Sequence, residues 1–269
     1  MVVPEVNILL AGWAALAVIM AILWLIQYAT RNAGIVDVAW AFGTGILGVW
    51  FALGVASGDA TRGVIIATLV GIWGARLGFY LASRVLRESE DGRYRFMRNA
   101  LGKWTQPVMF LFFQVQALWG LMFALPMWAA AQSTTPAIAR HDWLGIGIWL
   151  LAFTGEVVSD RQLNRFRRDP ANKGKVCQVG LWRYSRHPNY FFEWLHWWAY
   201  VLIGIASPWW WVTIAGVVVM YVFLTRVTGI PYTEQQAIRS RGDAYRRYQE
   251  TTNVFFPFSP SKISEEQST

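Results

Sequence analysis

Cysteine is almost missing from this chain: its 269 residues include one, Cys177, so neither an internal disulfide nor a thiolate metal cluster can form. Charge is scarce as well. Asp, Glu, Lys and Arg make up 15% of the residues, too little to clothe a soluble surface. The scarcity is concentrated: residues 1–83 carry six charges, residues 106–139 none, and residues 188–225 only Glu193. No Gly-x-Gly-x-x-Gly follows a strand pattern, which argues against a Rossmann nucleotide site, and no fixed-period repeat marks a solenoid. Together these lacks exclude a disordered chain, a disulfide scaffold and an ordinary cytosolic enzyme.

What fills the chain is apolar: 55% of residues are hydrophobic and 17 are Trp. A helix needs roughly 20 residues to cross about 30 Å of hydrocarbon. Windows of that kind lie at 7–29, 35–56, 62–83, 106–131, 143–163, 189–206 and 208–228. The first is too long for a signal-peptide core and has no Lys or Arg before it, so it reads as a retained helix. With seven spans, loops 29–34, 84–105 and 164–188 share a side with the C-terminal tail. Counting Arg161 and Arg226 with them, these segments hold 21 of the 24 Lys and Arg.

The positive-inside rule then puts the N-terminus outside and the C-terminus in the cytoplasm. The expected fold is an all-α membrane protein of seven transmembrane helices. One domain is expected over residues 1–258, with a polar, disordered tail at 259–269. The net charge of +8 reads as topology and attraction to membrane lipid headgroups, with no nucleic-acid partner.

An ionised side chain at mid-membrane costs about 2.5–3.5 kcal/mol on insertion scales, so each should face a cavity or a partner. The sequence places Asp37 in span two, Arg76 in span three, Glu156 and Asp160 in span five and Glu193 in span six. Helical spacing groups them into three polar stripes: Trp73, Arg76 and Tyr80; Glu156, Asp160 and Asn164; Asn189 and Glu193. Any one charge can be explained as an ion pair that holds the bundle together. The whole set outlines a site opening toward the cytoplasmic loops. Past the second stripe, Arg165, Arg167 and Arg168 offer guanidinium groups that fork onto phosphate oxygens.

The most specific stretch runs from Gly180 to Trp194 and contains Tyr184-Ser-Arg186-His187-Pro188-Asn189-Tyr190. Pro188 suits the first turn of a helix, where free backbone N–H groups favour an anion, and Asn189 and Glu193 project from one face beyond it. His187 taken alone reads first as a helix-end histidine with no ligand, the motif as a whole does not, and His196 reads as structural.

This signature resembles that of a membrane superfamily containing steroid 5-alpha-reductases, sterol C14-reductases and isoprenylcysteine carboxyl methyltransferases. Bacterial relatives of steroid 5-alpha-reductase are the nearest resemblance. It rests also on Val36-Asp37-Val-Ala-Trp40, on Asp169-Pro170-Ala-Asn-Lys173-Gly174-Lys175, and on Tyr245-x-x-Tyr248 followed by Phe255-Phe256-Pro257.

The resemblance implies NADPH as cofactor and the bacterial inner membrane as location. It implies contacts to the adenosine and phosphates from Glu156, Asp160, Asn164, Arg165, Arg167 and Arg168, Glu156 standing where the family has Asn. It implies that Asn189 and Glu193 hold the nicotinamide carboxamide, with Tyr184, Arg186 and His187 of the signature beside them. Arg76, Tyr80 and Arg226 match further cofactor positions, and Tyr232 or Glu234 replaces a family histidine.

The implied reaction is hydride addition to the activated C=C bond of a 3-oxo-4-ene steroid or similar lipid enone. The family's carbonyl-polarising acid and Tyr correspond here to Asp37 and Trp73, and indole cannot give up its proton. Either a protonated Asp37 or Tyr80 then supplies the acid. Trp40, Phe42, Trp119 and Met122 read equally as an apolar slot or as lipid-facing packing. Two other readings stand beside this one. A methyltransferase using S-adenosylmethionine shares the signature, and a lipid-binding scaffold would need its charges only to orient helices.

Overall fold

The computed structural model describes residues 6–136 and 138–261. The expected disordered tail at 259–269 therefore lies outside the described residues from Lys262 onward. Among the described residues there are ten α-helices and no strand. They are α1 (Val6–Thr30), α2 (Ile35–Trp50), α3 (Ala60–Arg87), α4 (Gly92–Leu101) and α5 (Thr105–Ala131), then α6 (Arg140–Arg168), α7 (Pro188–Ile203), α8 (Trp210–Val222), α9 (Gly229–Arg241) and α10 (Asp243–Thr251).

Six helical stretches are long and apolar enough to cross a membrane, as in a multi-pass integral membrane protein. They begin at Asn7, Ile35, Ala60, Gly92, Arg140 and Trp210. The remaining expected span is α7, whose 16 residues rise only about 24 Å at the α-helical 1.5 Å per residue.

Helix ends follow local chemistry. Asp59 caps α3 by accepting from the Arg62 N–H at 3.0 Å, and Asp91 caps α4 by accepting from the Arg93 N–H at 2.9 Å. Gly102 and Gly242 end α4 and α9 at φ +50° and +53°, a region that costs glycine nothing.

The chain packs as two compact units, the first comprising Met1–Trp143 with Tyr200–Gly216, the second Leu144–Ala199 with Val217–Thr269. In the first, α2 and α3 approach backbone to backbone at Gly45 and Gly74, where a Cβ on Gly74 would lie 2.9 Å from the Gly45 Cα. Small residues permit that closeness where no hydrophobic effect drives helices together.

Polar contacts tie each end of this unit. At one end Arg98 donates to Glu90 and Gln27, and Glu90 accepts from the Ala33 N–H at 2.8 Å. At the other, Arg62 binds Asp142 and the carbonyls of Ser133, Thr135 and Pro136.

In the second unit, α6 carries the loop that leads into α7. The Ser159 carbonyl accepts from the Trp182 indole at 3.0 Å, and the Gln162 side chain accepts from the Leu181 N–H at 2.9 Å. Gly180 sits at φ +57° against the Gln162 amide, in contact too close for any side chain.

Candidate functional site

The second unit brings together most of the polar residues singled out by sequence. On α6, Glu156 and Asp160 are 6% and 7% exposed, and Asn164 one turn further on is half-buried. Arg165, Arg167 and Arg168 end the helix exposed to solvent. On α7, Glu193 is 8% exposed and accepts from the Trp197 indole at 3.4 Å. The Asn189 side chain bridges the two helices, donating from Nδ2 to Asp160 Oδ1 at 3.4 Å.

That bond fixes which way the Asn189 amide points. A carboxylate accepts and cannot donate, so Nδ2 must face Asp160 and Oδ1 must face away. Oδ1 is buried and meets no hydrogen-bond donor among the described residues. A buried carbonyl oxygen left so costs about 1–3 kcal/mol, which a ligand N–H would recover. Buried carboxylates and an amide oxygen on these two helices present acceptors suited to a ligand that carries N–H groups. Exposed guanidinium groups at the end of α6 add charge suited to phosphate.

Other signature residues do something different from what the sequence suggests. Arg186 and His187 are expected beside a bound anion; the structure gives them partners inside the chain. Arg186 donates from Nε to Glu234 at 2.6 Å, and from Nη1 to the carbonyls of Gln249 and Thr252. Glu234 also accepts from Gln249 at 2.7 Å and from Tyr245 at 3.4 Å, and lies 3.4 Å from His187 Nε2.

The physical reason is that a carboxylate on α9 reaches a guanidinium nine-tenths buried, which needs a counter-charge. Burial holds the His187 imidazole below its ordinary pKa, with Arg186 acting the same way and Glu234 only partly opposing them. The ring stacks on Tyr190 with centroids 5.4 Å apart. Burial likewise raises the Tyr245 and Tyr248 phenols. Tyr184 and Arg226 are exposed, and Tyr232 is half-buried in the first turn of α9.

The expected substrate-facing residues lie in the first unit. Asp37, in the first turn of α2, accepts from Arg93 Nη2 and from the Tyr94 hydroxyl, each at 2.8 Å. Both oxygens are thus engaged as acceptors within the chain. Trp73 is fully buried and meets Trp40 edge to face at 6.3 Å. Arg76 lies 5.6 Å from the centre of the Tyr80 ring, so these two do share a helix face.

The aromatics proposed for a slot pack on one another: Trp40 against Phe123, Trp119 stacked on Phe123, and Phe42 against Phe79, while Met122 is exposed. Sequence reasoning passed over Tyr94 and Gln249. Tyr94 lies on the short, basic α4, which gives no apolar span signal, and Gln249 has only its place on the amphipathic α10 to mark it.

The family described as "Protein of unknown function (DUF1295)" matches residues 23–252. An uncharacterized protein of Schizosaccharomyces pombe is 29% identical over 88% of this chain and 76% of its own length. A second uncharacterized protein of that yeast is 28% identical over 38% of this chain and 42% of its own. A very-long-chain enoyl-CoA reductase of Dictyostelium discoideum is 24% identical over 40% of each. The chain thus spans about two fifths of the length of these last two relatives. No solved structure matches it.

Proposed function

The chain belongs to the DUF1295 family, and we propose that it is a membrane reductase that uses NADPH to reduce a C=C bond conjugated to a carbonyl in a lipid. The observation that carries this reading is the buried Asn189 Oδ1, held open by the bond from its own amide to Asp160. When bound, NADPH supplies the hydride. Asn189 would accept from the carboxamide N–H of its nicotinamide, and Glu193, one turn on, would accept beside it. Arg165, Arg167 and Arg168 would hold the phosphates by charge and select NADPH over NADH through the extra phosphate.

The basic loops favour a cytoplasmic face for this end of the site. The distant enoyl-CoA reductase supports reduction of a CH–CH bond. For the substrate we propose a 3-oxo-4-ene steroid or a similar lipid enone. The enoyl thioester named for the Dictyostelium relative is the comparison substrate.

The test uses purified full-length protein in nanodiscs. NADPH should raise the melting temperature and be oxidised when a steroid enone or a 2-enoyl thioester is added. The reading is abandoned if NADPH neither shifts melting nor is oxidised with any of these substrates. Protection by S-adenosylhomocysteine in its place would make the protein a methyltransferase.

A further inference from the structure

The second unit contains a network in which Arg186, His187 and Glu234, positions that the resemblance places near the cofactor, are partnered inside the chain, and it closes around the residues just before Asn189. From Ser185 to His187 the chain is bound almost entirely by the C-terminal segment. The Arg186 N–H donates to the Asn253 carbonyl at 2.9 Å, and Ser185 Oγ donates to the Phe255 carbonyl at 2.8 Å. The Tyr248 hydroxyl places its one proton within reach of the carbonyls of Trp182 and Ser185. The Arg186 guanidinium reaches Glu234, Gln249 and Thr252, as described above.

Aromatic packing continues the same grip along α7. Phe255 meets Phe191 at 5.9 Å and Trp194 at 5.8 Å, and Phe256 meets the same two rings at 6.0 and 5.9 Å. Polar bonds hold the chain before Pro188, and rings hold the helix face after it. Asn189 lies between these two grips.

From this we propose that the segment from Glu234 to Phe256 is a clamp that sets the first turn of α7 and so the direction of the Asn189 amide. Glu234 and Tyr248 are its positioning residues. The inference rests on the reductase reading for its functional consequence, but the clamp itself is a property of the chain. It accounts for three sequence features that the cofactor site leaves over: Arg186-His187, the Tyr245-x-x-Tyr248 pair and the Phe255-Phe256 pair. The side chain of Asn189 must keep its reach to Asp160 while leaving Oδ1 open, and a shift of about 1 Å in such a group is enough to cost a large factor in a bound state.

Two full-length variants test it, at side chains that the structure partners within the clamp itself. Tyr248→Phe keeps the ring and deletes only the hydroxyl tether. Glu234→Gln keeps the shape and deletes the charge that holds Arg186. Loss of a neutral hydrogen bond predicts a rise of about five-fold in KM for NADPH with Tyr248→Phe, and loss of a charged one about ten-fold or more with Glu234→Gln. Turnover at saturating NADPH should stay within about two-fold of wild type in both, since neither group meets reacting atoms, and Glu234→Asp should recover part of the loss.

Amide hydrogen exchange, measured without any cofactor, should speed up over residues 185–190 in both variants. Folded variants with unchanged exchange and unchanged KM overturn the clamp. So does a fall in turnover at constant KM, which would give Glu234 a chemical role. If wild type oxidises no NADPH, the reductase reading fails while hydrogen exchange still decides the clamp: faster exchange supports it, and unchanged exchange overturns it.

Discussion

Arg62 and Asn189 are both polar side chains buried between long apolar helices, and they end in opposite states. Arg62 has five N–H donors and meets five acceptors. Nε and Nη2 bind the two oxygens of Asp142 at 3.0 Å each, Nη1 the carbonyls of Ser133 and Thr135, and Nη2 that of Pro136. Both members of this pair have no exposed side-chain surface. Asn189 has one amide proton on Asp160, and its buried oxygen meets no donor. A saturated network has nothing left to offer a ligand, and an unsaturated one carries a desolvation cost that a ligand can lift. Saturation, more than charge or depth, separates the polar residues that hold this fold from those suited to hold something else.

The comparison breaks first at Arg62. Arg62→Met leaves Asp142 buried without its counter-charge, a change that costs about 3–5 kcal/mol in buried pairs. Thermal unfolding in nanodiscs should show a large drop in melting temperature, and the double variant Arg62→Met with Asp142→Leu should recover much of it. If the single variant melts like wild type, saturation does not mark a structural role.

Asn189→Ala should do the reverse. Its Oδ1 makes no bond among the described residues, so melting without cofactor should move little. Affinity for NADPH, read by titration calorimetry, should fall about ten-fold or more for the lost acceptor. A variant that melts early yet binds NADPH normally would exchange the two roles. Smaller still is the effect of Arg165→Gln, Arg167→Gln or Arg168→Gln, since each of these exposed groups is worth at most about 1 kcal/mol, or five-fold. Such losses should appear with NADPH more than NADH and fade as salt is raised.

How much of this was legible beforehand depends on whether the signal is local. Apolar runs of about 20 residues announce themselves, and six of the expected spans match helices long and apolar enough to cross a membrane. The short α4 and α10 were not visible as helices, because polar, basic segments between spans carry no hydropathy signal. The end of α7 came earlier than the apolar run suggested. Ser207 ties the turn after it to the Ala129 carbonyl, a contact between residues 78 apart.

The same limit governs the site. Asn189 and Glu193 were readable because one helical turn relates them. The partners of Asp37 and Arg186 lie 56 and 48 residues away, Arg93 on α4 and Glu234 on α9, and no spacing rule connects them. Residue type said that these charges need partners, and only the fold said which.

His187 gives the smallest and most specific test, because it sits where the clamp adjoins the open amide. The groups around it are Glu234, Arg186 and the Tyr190 ring. Burial holds its folded pKa below the ordinary 6.5, so the folded protein keeps the ring neutral while the unfolded chain takes up a proton near that value. Stability from this group is therefore fully present above about pH 6.5 and is lost as pH falls through the window beneath it, because the unfolded state binds more protons there. Melting temperature should decline with acidification below about 6.5, and His187→Gln should flatten that part of the profile without lowering the plateau at neutral pH. A decline of the same size in the variant would assign the acid sensitivity to the carboxylates. Arg62→Met should instead lower the plateau at neutral pH, because it takes the counter-charge from the buried Asp142. The pH slope then reports on the region around Asn189 and the plateau on the saturated pair.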